Sequence, residues 1–125
     1  MNAAEKRAAA KPPNALVVGL GVSGRAVCAL LRKQGAAVTA TDLRTRAQFN
    51  GALDPLEELG CTLRLGGHDL EDFLEAGQII LSPGVPLGLE PVAAARKAGK
   101  AIIGELEWAW RQVDLPVIAV TGTNG

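Results

Sequence analysis

The sequence predicts a doubly wound α/β domain: a mainly parallel five-stranded sheet with helices on both faces. Three observations predict it. Apolar runs of strand length alternate with helical patterns over residues 15–112, and no connection is short enough for a hairpin. That leaves parallel strands joined by right-handed crossovers. The first apolar run, Leu16-Val17-Val18, stops at Gly19, and glycines recur at Gly21 and Gly24 in the spacing G-x-G-x-x-G as a helical pattern opens. An acid, Asp42, follows the second apolar run. A strand, a glycine turn, a helix and a later acid are the marks of a Rossmann-like fold.

The elements follow in order. Residues 1–13 are rich in Ala and Lys, close with Pro12-Pro13 and carry no apolar signal-peptide core; a mobile tail is expected there. The domain proper is expected over 14–113. Strand one covers 15–19. The first helix covers 23–34, with Val27, Leu30 and Leu31 on one face and Gly35 just past its end. Strand two, 37–41, delivers Asp42, and 43–53 reads as a loop. Asp54 then reads as an N-cap, with Pro55 at the first helical position, Glu57 closing a capping box and Gly60 as the stop. Strand three is 61–65. Asp69 caps a short helix with Leu70, Phe73 and Leu74 facing inward. Strand four is 78–81, and Ser82-Pro83-Gly84-Val85-Pro86 turns the chain into a helix over 91–98. Strand five is 101–103. A helix over 105–112 has Leu106, Ala109 and Trp110 on one face. Residues 114–125 read as the start of a further domain, a strand running into a second glycine turn.

Composition narrows the function. The 125 residues suffice for one core. Thirteen basic residues balance thirteen acidic ones, so neither nucleic acid nor an anionic membrane is an expected partner. No apolar run is long enough to span a membrane. Aromatics are 3%, too few for a base-stacking platform. Cys28 and Cys61 lack the spacing of a metal or redox motif and fit buried, reduced thiols of a cytoplasmic protein. A monomer is expected.

The glycine turn has a physical logic. Gly19 permits the sharp turn, Gly21 lets backbone approach a ligand, and Gly24 lets the helix pack on its strand. The first helical N–H groups then face an anion, which favours a phosphate. Asp42 would hold ribose hydroxyls, accept a base N–H, or merely cap the following turn. Arg44 would meet a base carbonyl or phosphate, or stay solvated. Ser82, Pro83 and Gly84 are an ordinary turn or a third wall. In a parallel sheet these three segments line one crevice beyond the strand ends. His68 has no Cys or His partner in sequence, so no metal site is expected. Trp108 and Trp110 suit a core or an interface, and no catalytic dyad is visible. Residues 117–125, V-I-A-V-T-G-T-N-G, have the form of a phosphate loop lacking its lysine and its magnesium-binding hydroxyl. A nicotinamide-binding domain of a dehydrogenase, or a nucleotide-sensing module, shares the first glycine turn and the acid, but does not account for this second loop.

Five motifs in order carry a resemblance: G-L-G-V-S-G at 19–24, A-T-D-L-R at 40–44, L-S-P-G-V-P at 81–86, G-E-L-E-W at 104–108 and T-G-T-N-G at 121–125. With this spacing, residues 15–125 resemble the N-terminal domain of the Mur ligase family, in its D-glutamate-adding branch. The resemblance implies a cytoplasmic, three-domain enzyme of peptidoglycan synthesis. It would form an amide through an acyl phosphate, using ATP and Mg²⁺, and add D-glutamate to UDP-N-acetylmuramoyl-L-alanine. By the same resemblance, Gly21, Val22 and Ser23 would meet the diphosphate, and Asp42, Leu43 and Arg44 the uracil. Ser82, Pro83 and Gly84 would line that crevice, while Gly122, Thr123, Asn124 and Gly125 would begin the ATP loop. Leu43 stands where the family often has threonine, which removes a hydroxyl contact and leaves the backbone N–H. These 125 residues alone are expected to be inactive.

Overall fold

Five short aliphatic and β-branched runs form the sheet: β1 (Ala15–Val18), β2 (Val38–Asp42), β3 (Thr62–Leu65), β4 (Gln78–Leu81) and β5 (Ile102–Gly104). The structure, a computed structural model, describes residues 12–113. The expected tail up to residue 11 and the second glycine turn within 114–125 lie outside the described residues. Five helices alternate with the strands: α1 (Val22–Lys33), α2 (Asp54–Glu58), α3 (Leu70–Glu75), α4 (Glu90–Lys97) and α5 (Glu105–Gln112).

The strand order is β3-β2-β1-β4-β5, and every pairing is parallel. Chain order reverses direction at β1, which pairs with β2 on one side and β4 on the other. That is the switch point, where a crevice opens beyond the strand ends. As a central strand, β1 is buried along its whole length and carries no polar residue.

Alternation along the strands feeds two cores. Val17, Val38, Ala40, Ile80 and Ile103 pack under Val27, Cys28 and Leu31 of α1, Leu56 of α2 and Trp108 of α5. Leu16, Val18, Ile79 and Leu81 pack on the opposite face under Phe73 of α3 and Val92 and Ala95 of α4. Helices therefore cover both faces. Cys28 and Cys61 are buried, free thiols, and hydrogen bonding with Cys61 together with burial pushes the Cys28 thiol up.

Several local expectations need correction. In α3 only Phe73 is buried; Leu70 and Leu74 are exposed, because a helix of under two turns offers one inward position. In α5 the stripe of Leu106, Ala109 and Trp110 faces solvent, with Leu106 70% and Trp110 51% exposed, while Glu105 and Trp108 turn inward. The chain leaves β5 directly into α5 at Gly104, and that junction fixes the helix rotation. Asp54 is the first helical residue rather than the N-cap; Leu53 caps α2 without a side-chain bond and is itself buried. The capping box lies earlier, at Thr45 and Gln48, where a short 3-10 turn, Arg46–Phe49, interrupts the expected loop and buries Phe49.

Candidate functional site

The glycine turn is built by close approach. Gly19 has φ +99, and a Cβ there would stand 2.6 Å from the Ser82 Cβ. The turn after β1 and the segment after β4 are thus in direct contact, and only glycine fits between them. A Cβ on Gly24 would stand 2.0 Å from the Gly19 carbonyl oxygen, so α1 rests on its own strand at a distance no larger side chain permits. Gly21 differs: a Cβ there meets nothing within 4 Å. Space is open above the N-cap, as a ligand requires.

The first turn of α1 is unsatisfied. Gly21 is the N-cap, without a side-chain cap, and the first turn holds no acid. The amides of Val22 and Ser23 have no protein acceptor among the described residues, and both residues are exposed. Unpaired N–H groups and the positive end of a twelve-residue helix favour negative charge at this position.

Asp42 holds this turn in place. It is 6% exposed at the tip of β2. Its Oδ2 accepts the Leu20 amide at 2.7 Å and Arg44 Nη2 at 2.9 Å. Its Oδ1 accepts the Arg44 amide at 2.8 Å and Arg44 Nε at 3.0 Å. Burial pushes the carboxyl up, but the hydrogen bonds from Arg44 and Leu20 outweigh it and hold the group below the ordinary carboxylate value. These four donors fill the acceptor capacity of the carboxylate. Asp42 is a wall and an anchor of the crevice, not a free acceptor.

Arg44 is held on two sides. Its guanidinium forks onto Asp42 and lies 4.4 Å from the centroid of the Phe49 ring. The side chain stays 46% exposed, which leaves a planar cationic face toward solvent beside the strand tip.

A crevice of about 210 Å³ joins these parts, lined by Gly19, Asp42, Leu43, Gly84, Val85 and His68 among others. The three expected segments therefore meet at one place. Gly84 lines the crevice directly. Ser82 abuts Gly19 and fixes the turn through its amide to the Val18 carbonyl at 3.0 Å. Pro83 faces a neighbouring pocket together with Ser23. A larger depression of about 580 Å³ runs along β3 and the following turn and shares His68 with the crevice.

Sequence reasoning missed His68 as part of the crevice. Gly66 donates to the Asp42 and Arg44 carbonyls at 3.0 and 2.9 Å, which folds the 66–68 turn onto the tip of β2. His68 Nδ1 then lies 2.7 Å from Thr41 Oγ1, and its ring meets Phe73 edge-on at 5.9 Å. Burial lowers its pKa, partly opposed by Asp42, so the ring is neutral near pH 7. The pairing glycines, Gly66-Gly67, were the available signal. Among the described residues, no group of three or more His, Cys, Asp or Glu side chains has a metal-binding arrangement, and no helix is long and apolar enough to cross a membrane.

A parallel sheet in this order, with a glycine turn and an open helix N-terminus at its switch point, defines a Rossmann-like α/β domain whose ligand crevice lies beyond the strand ends. The family "Mur ligase MurD-like, N-terminal domain" matches residues 13–104, and the chain belongs to it. UDP-N-acetylmuramoylalanine--D-glutamate ligase of Desulfosudis oleivorans is 47% identical over 110 residues, covering 88% of this chain and 24% of that protein. The enzyme of the same name from Geobacter metallireducens is 46% identical over 112 residues, covering 90% and 25%. The chain thus spans about a quarter of the length of these relatives. Among solved structures, UDP-N-acetylmuramate-alanine ligase of Thermotoga maritima shares the fold at TM-score 0.67 and 18% identity, over 81% of this chain and 23% of that one. A pseudomurein peptide ligase type C from Methanothermus fervidus matches at TM-score 0.67 and 25% identity, over 84% of this chain and 21% of that one.

Proposed function

We propose that this chain is the domain that holds the uridine diphosphate end of UDP-N-acetylmuramoyl-L-alanine, in a cytoplasmic ATP-dependent ligase that joins D-glutamate to that substrate. One observation carries the reading: the unsatisfied first turn of α1 opens beside a crevice walled by the tips of β1, β2 and β4. The diphosphate takes the amides of Val22 and Ser23, with Gly21 leaving the approach open. The uracil lies at the β2 tip, against Leu43 and the exposed face of Arg44, with Gly84 across the crevice. Ser82 and Pro83 support that wall.

Amide formation needs the substrate carboxylate activated as an acyl phosphate and then attacked by an amine. ATP, with Mg²⁺, supplies the phosphoryl group. Gly122, Thr123, Asn124 and Gly125 begin the loop that would hold its phosphates, and they lie outside the described residues. Residues 12–113 bind and orient; no acid–base pair among them makes or breaks a bond.

The dinucleotide alternative is disfavoured by Asp42. A nicotinamide site uses this acid as a free acceptor for ribose hydroxyls. Here both oxygens are occupied by Leu20 and Arg44. Titration calorimetry with UDP, UDP-N-acetylmuramoyl-L-alanine and NADH separates the two. Heat with the uridine ligands and none with NADH is expected; the reverse pattern overturns the assignment.

A further inference from the structure

The sequence holds two cysteines, and the fold brings them into one core cluster from different elements. Cys28 lies in the middle of α1 and is fully buried; Cys61 is the residue before β3 and is 8% exposed. β3 pairs only with β2, so Cys61 stands at an edge of the sheet.

Arg32 shows how the two segments meet. Cys28 and Arg32 are four residues apart on α1 and share one stripe of the helix. Arg32 Nε donates to the Leu59 carbonyl at 2.7 Å, and its Nη1 donates to the Ala36 carbonyl at 2.8 Å. A Cβ on Gly60 would stand 3.1 Å from Arg32 Nη2. The stripe of α1 therefore runs along residues 59–61, and the Cys61 amide, bonded to the Leu56 carbonyl at 3.0 Å, fixes the turn into β3. The two thiols hydrogen-bond with each other at this meeting.

The pair is polarised. The bond from Cys28, aided by the Arg32 charge, holds the Cys61 thiol below its ordinary value against burial. The same bond and burial push the Cys28 thiol up. Cys61 is thus the sulfur that ionises first, and it is also the more exposed of the two. The exposed residues Leu59 and Gly60 lie directly before it, which gives a small oxidant a short path. A metal ion is not favoured, since two thiols without further ligands do not make a closed site.

We propose that Cys28 and Cys61 form a thiol redox pair, which peroxide closes into an intrachain disulfide tying α1 to the edge of the sheet, and which a thiol reductant reopens. The Cys61 thiolate attacks one peroxide oxygen. The O–O bond breaks, Cys61 becomes a sulfenic acid, and the departing hydroxide takes up a proton as water. The Cys28 sulfur then bonds to the Cys61 sulfur; the S–O bond breaks, and the leaving hydroxyl carries the Cys28 proton away as water. The two thiols lose two electrons in total, and one peroxide is reduced to two waters. Burial of Cys28 keeps it from meeting peroxide by itself, so the disulfide is the single product.

Hydrogen peroxide treatment of the folded 125-residue chain tests this, with thiols counted after denaturation and peptides mapped by mass without reductant. Both thiols are expected to disappear together. One peptide pair linked through Cys28 and Cys61 is expected, two hydrogens lighter than the reduced pair and released by dithiothreitol. Cys28→Ser stops at the Cys61 sulfenic acid, which dimedone captures. Cys61→Ser keeps Cys28 reduced at the same peroxide dose. The oxidised chain melts about 5 °C or more above the reduced one, because the cross-link restricts the unfolded chain. Retention of both thiols at a dose that oxidises the unfolded chain overturns the proposal. So does their loss in separate peptides, a link only between chains, or oxidation of Cys28 in Cys61→Ser. A linked chain that melts no higher than the reduced chain overturns the tying role.

Discussion

The carboxylate of Asp42 accepts the main-chain amide of Leu20 at 2.7 Å, tying the tip of β2 to the glycine turn twenty-two residues earlier. The bond is buried and holds the residue just before the N-cap of α1. It converts a flexible G-x-G-x-x-G turn into a fixed one. Preorganised donors bind an anion without the cost of ordering the loop.

Removing that anchor should cost stability first. Asp42→Ala leaves the Leu20 amide buried without an acceptor and frees Arg44 from its partner. A loss of about 1–3 kcal/mol is expected by chemical denaturation. Asp42→Asn, which keeps one acceptor, should lose less. An Asp42→Ala chain as stable as the original would contradict the anchoring role.

Two glycines in the same turn should behave oppositely. Gly24→Ala places a Cβ 2.0 Å from the Gly19 carbonyl and must push α1 off β1. Destabilisation of about 1–3 kcal/mol follows, typical of overpacking. Gly21→Val projects into open space, so folding survives while UDP binding is blocked at the approach path. Thermal unfolding and UDP calorimetry on the pair read the difference. A Gly21→Val chain with normal UDP affinity would place the phosphate elsewhere.

Arg44 should act through its plane as well as its charge. It stacks 4.4 Å over Phe49 and presents its other face outward. Arg44→Lys keeps the charge but loses the fork and the plane. UDP affinity is expected to fall about fivefold to tenfold in Arg44→Lys, the scale of one lost stacking contact. Unchanged affinity would separate Arg44 from the base.

Acid should weaken the fold in two windows. The folded His68 binds its proton less readily than the ordinary value of 6.5, because the ring is buried. As pH falls through 6.5 the unfolded chain protonates first, and stability declines until the folded-state pKa is passed. The folded Asp42 carboxyl sits below 3.8, so a further loss begins as pH falls through that value. His68→Gln should flatten the upper window and leave the lower one. Denaturation midpoints measured from pH 7 to pH 3 check both, and an unchanged upper window in His68→Gln would contradict the assignment to His68.

Fold class was legible because period-two and period-3.6 patterns alternate cleanly here, and all five strands fall within a residue of their expected bounds. The role of Gly24 was legible because its contact with Gly19 lies within one βα unit, which local spacing reports, whereas the contact of Gly19 with Ser82 joins two units distant in sequence. Helix rotation was not legible. Leu106, Ala109 and Trp110 form a correct apolar stripe by spacing, yet the β5–α5 junction turns Glu105 and Trp108 inward instead. Counting Glu105 as polar hid it from a core-facing reading. His68 joined the site through pairing of Gly66 with the β2 tip, a tertiary contact with no periodic trace. Asp42 was found in position, but the saturation of its oxygens depends on Leu20 and Arg44 converging in space.

The most direct test is a crystal structure of this chain with uridine diphosphate. The diphosphate is expected within hydrogen-bond distance of the Val22 and Ser23 amides, with the pyrimidine ring beside Leu43 and Arg44. An ordered nucleotide elsewhere, with this first helical turn empty, would contradict it.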